Sequence, residues 1–252
     1  MIAATIAPDS RLQDITRVLV ERVHPELVLL FGSRARGSAR DDSDFDLMIV
    51  VRDQSAVEAS RKAAYQILRE LPMSVDVLAR SVDEYVRHQC DPGFMDWMIA
   101  RDGLVLYTTG MIPQWSPDRV REPGPGKGGV AMWMRRAASD MNIAEHAFTA
   151  TDPSVDAICF HAHAAVEKWL KALIVVHTRT FPPKTHDLEA LLVMQPADIR
   201  EHAEVIEACA LLMVVYPKSR YAEDGMPSGA EAHEAVAAAR AVRAAVAVHL
   251  PL

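Results

Sequence analysis

From Ser10 to Val23, apolar side chains fall at Leu12, Ile15, Val18, Leu19 and Val23, the recurrence of a helix with one buried stripe. The next run, Leu27 to Phe31, is apolar without interruption and stops at Gly32-Ser33, which predicts a buried strand running into a turn. The alternation then repeats. Asp46 to Val51 (DLMIVV) predicts a buried strand, Ser55 to Leu71 a helix and Ser74 to Ala79 an alternating strand, and Asp102-Gly103 predicts a turn into a last short strand from Leu104 to Tyr107. Helices and strands in alternation predict an α/β domain.

Beyond Thr108 the pattern changes. Residues 108 to 129, TTGMIPQWSPDRVREPGPGKGG, crowd Pro and Gly together without apolar period, the composition of a linker. After it no strand signal of comparable strength appears. Helical period runs from Ala131 to Thr149, Ser154 to His177, Thr185 to Met194 with Pro196 to Met213, and Ser228 to His249. Pro153, Pro182-Pro183, Pro196, Pro217 and Pro227 read as lying between these segments, where proline interrupts least. The expected organisation is an α/β domain over residues 1–110, a linker over 111–130 and an all-α helical bundle over 131–252.

The 252 residues are half apolar and 24% charged, a globular composition, and a formal charge of −7 spread over both halves argues against a domain that coats nucleic acid with a basic face. Cys90, Cys159 and Cys209 are too far apart for a CxxC metal or redox spacing. No export signal or membrane span is read from the sequence, so a cytoplasmic protein is expected.

The chemistry concentrates between Leu29 and Val51, LLFGSRARGSARDDSDFDLMIVV. Residues two apart on a strand face the same side, so Asp44 and Asp46 would present two carboxylates about 7 Å apart in Cα position. Such a pair repels itself unless a cation neutralises it, and Mg²⁺ favours one or two carboxylates together with substrate phosphate oxygens. Gly32 allows close backbone approach to phosphate, and Ser33 adds a hydroxyl donor. Asp76, on an alternating strand, is a third acid that could lie beside the pair and bridge a second ion or act as a general base, although Asp83 is close in sequence. Arg34, Arg36 and Arg40 line the loop between turn and strand, where they could fork onto a triphosphate or merely balance Asp41 and Asp42.

GSRARGSARDDSDFDLMIV resembles the signature of the minimal nucleotidyltransferases of the DNA polymerase β superfamily. The resemblance implies a small mixed sheet with helices on one face, and transfer of a nucleoside monophosphate, most often AMP from ATP, to a hydroxyl of an acceptor that the sequence does not specify. It implies Gly32 and Ser33, with Arg34 and Arg36, at the nucleotide, and Asp44, Asp46 and Asp76 as catalytic carboxylates holding two Mg²⁺ ions.

In the second half, HAHAAVEKWLKALIV (161–175), Phe181-Pro-Pro-Lys-Thr-His186-Asp-Leu and Tyr216-Pro-Lys-Ser-Arg220-Tyr221 are similar to the HEPN family of helical domains. That implies a homodimer formed through the helical domain, and binding of nucleotide or RNA. Lys168, Lys171, His186, Tyr216, Arg220 and Tyr221 could line a pocket for a nucleotide or acceptor. An alternative function is a regulatory or toxin–antitoxin-like module, in which the first domain modifies the helical one or a partner, with Tyr216 and Tyr221 as candidate acceptors. The family's ribonuclease pattern is an Arg, four to six intervening residues, then a His; Arg179 and His186 have that spacing, but Pro182-Pro183 between them breaks any shared helix. Gly124 to Gly129 fits GxGxxG literally but follows no strand, and His163 with Glu167, four apart, reads as an ordinary helix-surface pair.

Overall fold

The computed structural model describes residues 10–40, 43–70, 73–120, 128–220 and 225–250. Asp41, Asp42, Tyr221 and the GxGxxG-like stretch up to Lys127 lie outside them. Contacts divide the chain into two compact units, residues 1–121 and 122–252.

The first unit is a four-stranded mixed sheet in the order β3-β2-β1-β4, from β1 (Leu27–Phe31), β2 (Phe45–Val51), β3 (Val75–Ser81) and β4 (Leu104–Thr108). β1 runs antiparallel to β2 and β4, and β2 runs parallel to β3. A parallel pair needs a crossover, and α3 (Val57–Leu68) supplies it. The apolar run of β1 is continuous because both its faces are covered: Val28 and Leu30 join one core with Phe45, Leu47 and Ile49, while Leu27, Leu29 and Phe31 join a second with Met48 and Val50. α1 (Ser10–Val23) packs Leu12, Ile15 and Leu19 on the first face beside Ala64 and Leu68 of α3. On the second face lie Tyr85 of α4 (Val82–His88) and Ile99 of α5 (Met95–Asp102).

Helices therefore cover both faces, which corrects the expectation of one. The missed elements, α4 and α5, are short and carry too few apolar positions to register a period. α4 is nonetheless well started, since the Ser81 side chain accepts from the Glu84 N–H and Asp83 and Glu84 occupy its first turn. Ile112, within the stretch read as linker, is buried in the second-face core.

The second unit is helical, with α6 (Gly128–Ala147), α7 (Val155–Thr178), α8 (Leu188–Val193), α9 (Ala197–Arg200), α10 (Ala203–Lys218) and α11 (Gly229–Val246). α7 is central and packs against α6, α8, α10 and α11, so its polar residues Glu167 and Lys171 are buried with its apolar ones. The segment expected as two helices from Thr185 to Met213 is three. Pro217 lies inside α10 rather than between helices. At the last turn its missing N–H costs one bond, and the Ser219 N–H closes the helix onto the Val215 and Tyr216 carbonyls. α11 opens with a capping box, in which Ser228 and Glu231 satisfy each other's backbone N–H.

Candidate functional site

β1 ends in Gly32, whose φ of +75° lies in the left-handed region. The chain then makes the single turn α2 (Gly32–Ala35) and returns to β2. Antiparallel register sets Phe31 opposite Asp46, and parallel register sets Asp46 beside Asp76. Strand neighbours stand about 4.8 Å apart with side chains on the same face, so Asp46 and Asp76 share the second face, beyond the part that α4 and α5 cover. Asp46 is half-buried and Asp76 exposed. Asp44 is exposed and sits one residue ahead of β2. Asp83 has a different place, in the first turn of α4.

Gly32 closes on Asp46 so tightly that a Cβ there would overlap the carboxylate oxygen Oδ2. The glycine thus leaves a cradle for that carboxylate. Exposed and half-exposed hard oxygen donors suit Mg²⁺, which takes few protein ligands and fills its shell with water and phosphate. Among the described residues no group of three His, Cys, Asp or Glu side chains that could hold a metal ion is present.

The loop between turn and strand is braced from within. Arg34 donates from Nε (3.0 Å) and Nη2 (2.6 Å) to the Ser43 carbonyl, and its guanidinium lies 4.0 Å from the centre of the Phe45 ring. Ser43 in turn bonds Arg40 through backbone and side chain. Arg34 thus holds the chain that delivers Asp44, a positioning job that the spacing alone did not reveal. Arg36 and Arg40 are exposed and Ser33 is half-buried. Farther along the second face, Arg80 pairs with the buried Asp96 at 2.9 Å, an ion pair the sequence reading missed.

In the helical unit, His163 and Glu167 are not a surface pair. Glu167 is buried and accepts from Lys171 Nζ (2.6 Å) and His186 Nδ1 (2.8 Å), and Lys171 also donates to the Thr185 carbonyl (2.8 Å). Burial alone would raise the Glu167 carboxyl, but the hydrogen bonds from Lys171 and His186 outweigh it and hold it below its ordinary value. His163 is fully buried against the Tyr216 ring (centroids 3.9 Å apart), and burial pushes it down to about 4. Lys168 and His161 both bond Asp140 on α6 (2.7 and 2.8 Å). Arg220 donates to the Tyr216 hydroxyl (2.9 Å). Of the residues expected to line a pocket, Lys171, His186 and Tyr216 do converge with His163 and Glu167. Arg179 caps the end of α7 and His186 lies in the loop before α8, so the two share no helix.

Among the described residues no helix is long and apolar enough to cross a membrane. No curated protein matches the chain. Several solved structures resemble it, two of which are named here. One is TT1696 from Thermus thermophilus, with 25% identity, covering 48% of this chain and 98% of that one at a TM-score of 0.40. The other is the spectinomycin adenyltransferase AAD(9) from Enterococcus faecialis, with ATP and spectinomycin, with 11% identity, 93% and 99% coverage and a TM-score of 0.38. The family models divide the chain as its contacts do: it joins a polymerase β-type nucleotidyltransferase domain, matched over residues 13–108, to a HEPN domain, matched over residues 130–249.

Proposed function

We propose that the first unit transfers a nucleoside monophosphate, AMP from ATP, to a hydroxyl on an acceptor. The observation that carries this reading is the register of Asp46 beside Asp76, with Gly32 packed onto Asp46. In this reading Asp44, Asp46 and Asp76 hold Mg²⁺. When bound, that metal would neutralise the triphosphate and lower the pKa of the attacking hydroxyl. Gly32 and Ser33 approach the phosphates through backbone N–H and hydroxyl, and Arg36 adds a cation at the loop. Arg34 keeps the Asp44 approach in place through Ser43. Asp76, exposed beside Asp46, takes up the acceptor's proton in this reading.

The protein is to be incubated with ATP labelled in its adenine, Mg²⁺ and a panel of hydroxyl acceptors. Metal-dependent transfer of label is expected, with loss in EDTA. Transfer that persists in an Asp44→Ala, Asp46→Ala double variant overturns the mechanism. Intact-mass measurement after ATP treatment separates acceptors. A nucleotidyl mass added to the chain moves the acceptor onto the protein, with Tyr216 as the described candidate. An unchanged mass beside a modified small molecule leaves the acceptor outside it. The same reading has two copies associating through the helical unit.

A further inference from the structure

The chain leaving β4 is pinned to the start of β1. Thr109 donates from its N–H to the Glu26 carbonyl (3.0 Å) and from its hydroxyl to Glu26 Oε2 (2.7 Å), while Glu26 also holds Arg52 (2.8 Å). From there a strap, residues 112–115, lies along the second face of the sheet, and Ile112 joins the core of Leu27, Leu29 and Tyr85. Strap, β1, β4 and α5 enclose a cavity of about 290 Å³. Register keeps it apart from the candidate active site. Leu27 stands beside Val50 and Thr108, whereas Phe31 stands beside Asp46, so the cavity lies about 13 Å along β1 from the carboxylates, at four residues of about 3.3 Å each.

The lining decides what such a cavity accepts. Leu29, Val105 and Ile112 give it apolar walls, and Trp115 adds a flat aromatic one. An apolar cavity of about 150 Å³ accepts benzene, so this one has room for a fused bicyclic ring. Tyr85, also in the lining, is only 3% exposed, and its hydroxyl has no hydrogen-bond partner among the described residues. Burial and the nearby Asp96 raise its pKa, so the hydroxyl stays protonated and stands as a buried donor that lacks an acceptor. Arg101 is the one charged residue among the described lining residues, and Asp102 already matches it through Nε (2.6 Å) and Nη2 (2.5 Å). The cavity therefore offers one unmet donor and no unmatched charge. We propose that it binds a small, flat, uncharged bicyclic molecule carrying a carbonyl oxygen, which accepts from the Tyr85 hydroxyl while the rings lie against Trp115.

Binding is read directly, so this site stands or fails apart from the transferase reading. The probe is 2-naphthamide, titrated into the full chain by calorimetry, with 2-naphthoate, the same rings bearing an anion, as comparator. One saturable site is expected, tighter for the amide than for the carboxylate, and saturating ATP with Mg²⁺ should not displace the probe. Tyr85→Phe deletes only the unpartnered hydroxyl, so its thermal melt should match wild type while its affinity for the amide falls roughly 3- to 10-fold, the scale of one neutral hydrogen bond. Ala100→Phe, which fills the cavity from α5, should abolish binding. The proposal is overturned if 2-naphthamide shows no saturable binding to the wild type, if Tyr85→Phe binds it equally well, if the carboxylate binds more tightly, or if ATP displaces it.

Discussion

The carboxylate of Asp46 occupies the space that a β-carbon on Gly32 would need. Turn and strand are therefore fitted to one another: a glycine at positive φ follows β1, and the acid at the second position of β2 closes over it. Gly32→Ala should abolish nucleotidyl transfer, by at least about 10²-fold, because displacing an active-site group by about 1 Å has that scale of cost. The strained backbone adds about 1–3 kcal/mol of destabilisation. Steady-state transfer assays beside a thermal melt check both, and full activity in Gly32→Ala would show that Asp46 need not sit where it does.

Two acids compete in the sequence for the third catalytic position, and their elements separate them. Asp76 is the register partner of Asp46, whereas Asp83 lies in the first turn of α4, where its charge favours the helix end by about 0.3–1 kcal/mol. Asp76→Asn is expected to cut kcat by at least about 10²-fold with the fold intact. Asp83→Asn should lower stability by under about 1 kcal/mol and leave kcat near wild type. Equal losses of kcat would remove the distinction.

What could be read in advance follows from where each signal resides. α1 and β1 have the bounds their apolar pattern predicts, because a one-sided stripe and an unbroken buried run are local signals. The acids of the candidate site were legible for the same reason, but their meeting was not, since register between β2 and β3 is set by the crossover and by packing. α4 and α5 escaped notice because seven or eight residues hold at most about two turns, and Pro92-Gly93 interrupts the stretch between them. His163 and Glu167 were misjudged for a different reason. A spacing of four shows that two residues share a helix face, but whether that face is wet depends on the neighbours of α7. In the sequence His163, Glu167 and Lys171 form a polar stripe at spacing four, and nothing within α7 itself marks that stripe as buried.

His163 should make the helical unit acid-sensitive. Its pKa is pushed from the ordinary 6.5 down to about 4 by burial, so between those values the unfolded chain binds a proton that the native state does not. Stability is then complete above about pH 6.5 and is lost as pH falls toward 4, by about 3 kcal/mol for one group at full effect. Denaturant melts of wild type and His163→Phe across about pH 4 to 7.5 should diverge in slope, with the variant flatter in this window. Parallel curves would mean that another group carries the acid sensitivity.

The buried Glu167 carboxylate is the other expected weak point, and here the sign runs through its partners. Lys171 is buried with it and bonded at 2.6 Å, while His186 reaches the second oxygen from a largely exposed position. Removing one partner of a buried pair leaves a desolvated charge, at a cost of about 3–5 kcal/mol. Lys171→Met should fall at the low end of that range, because His186 Nδ1 still bonds the second carboxylate oxygen. Replacing both charges, Glu167→Gln with Lys171→Met, should recover most of the loss, since no bare ion remains. A double variant no more stable than Lys171→Met alone would show that the lysine acts through its bond to the Thr185 carbonyl instead.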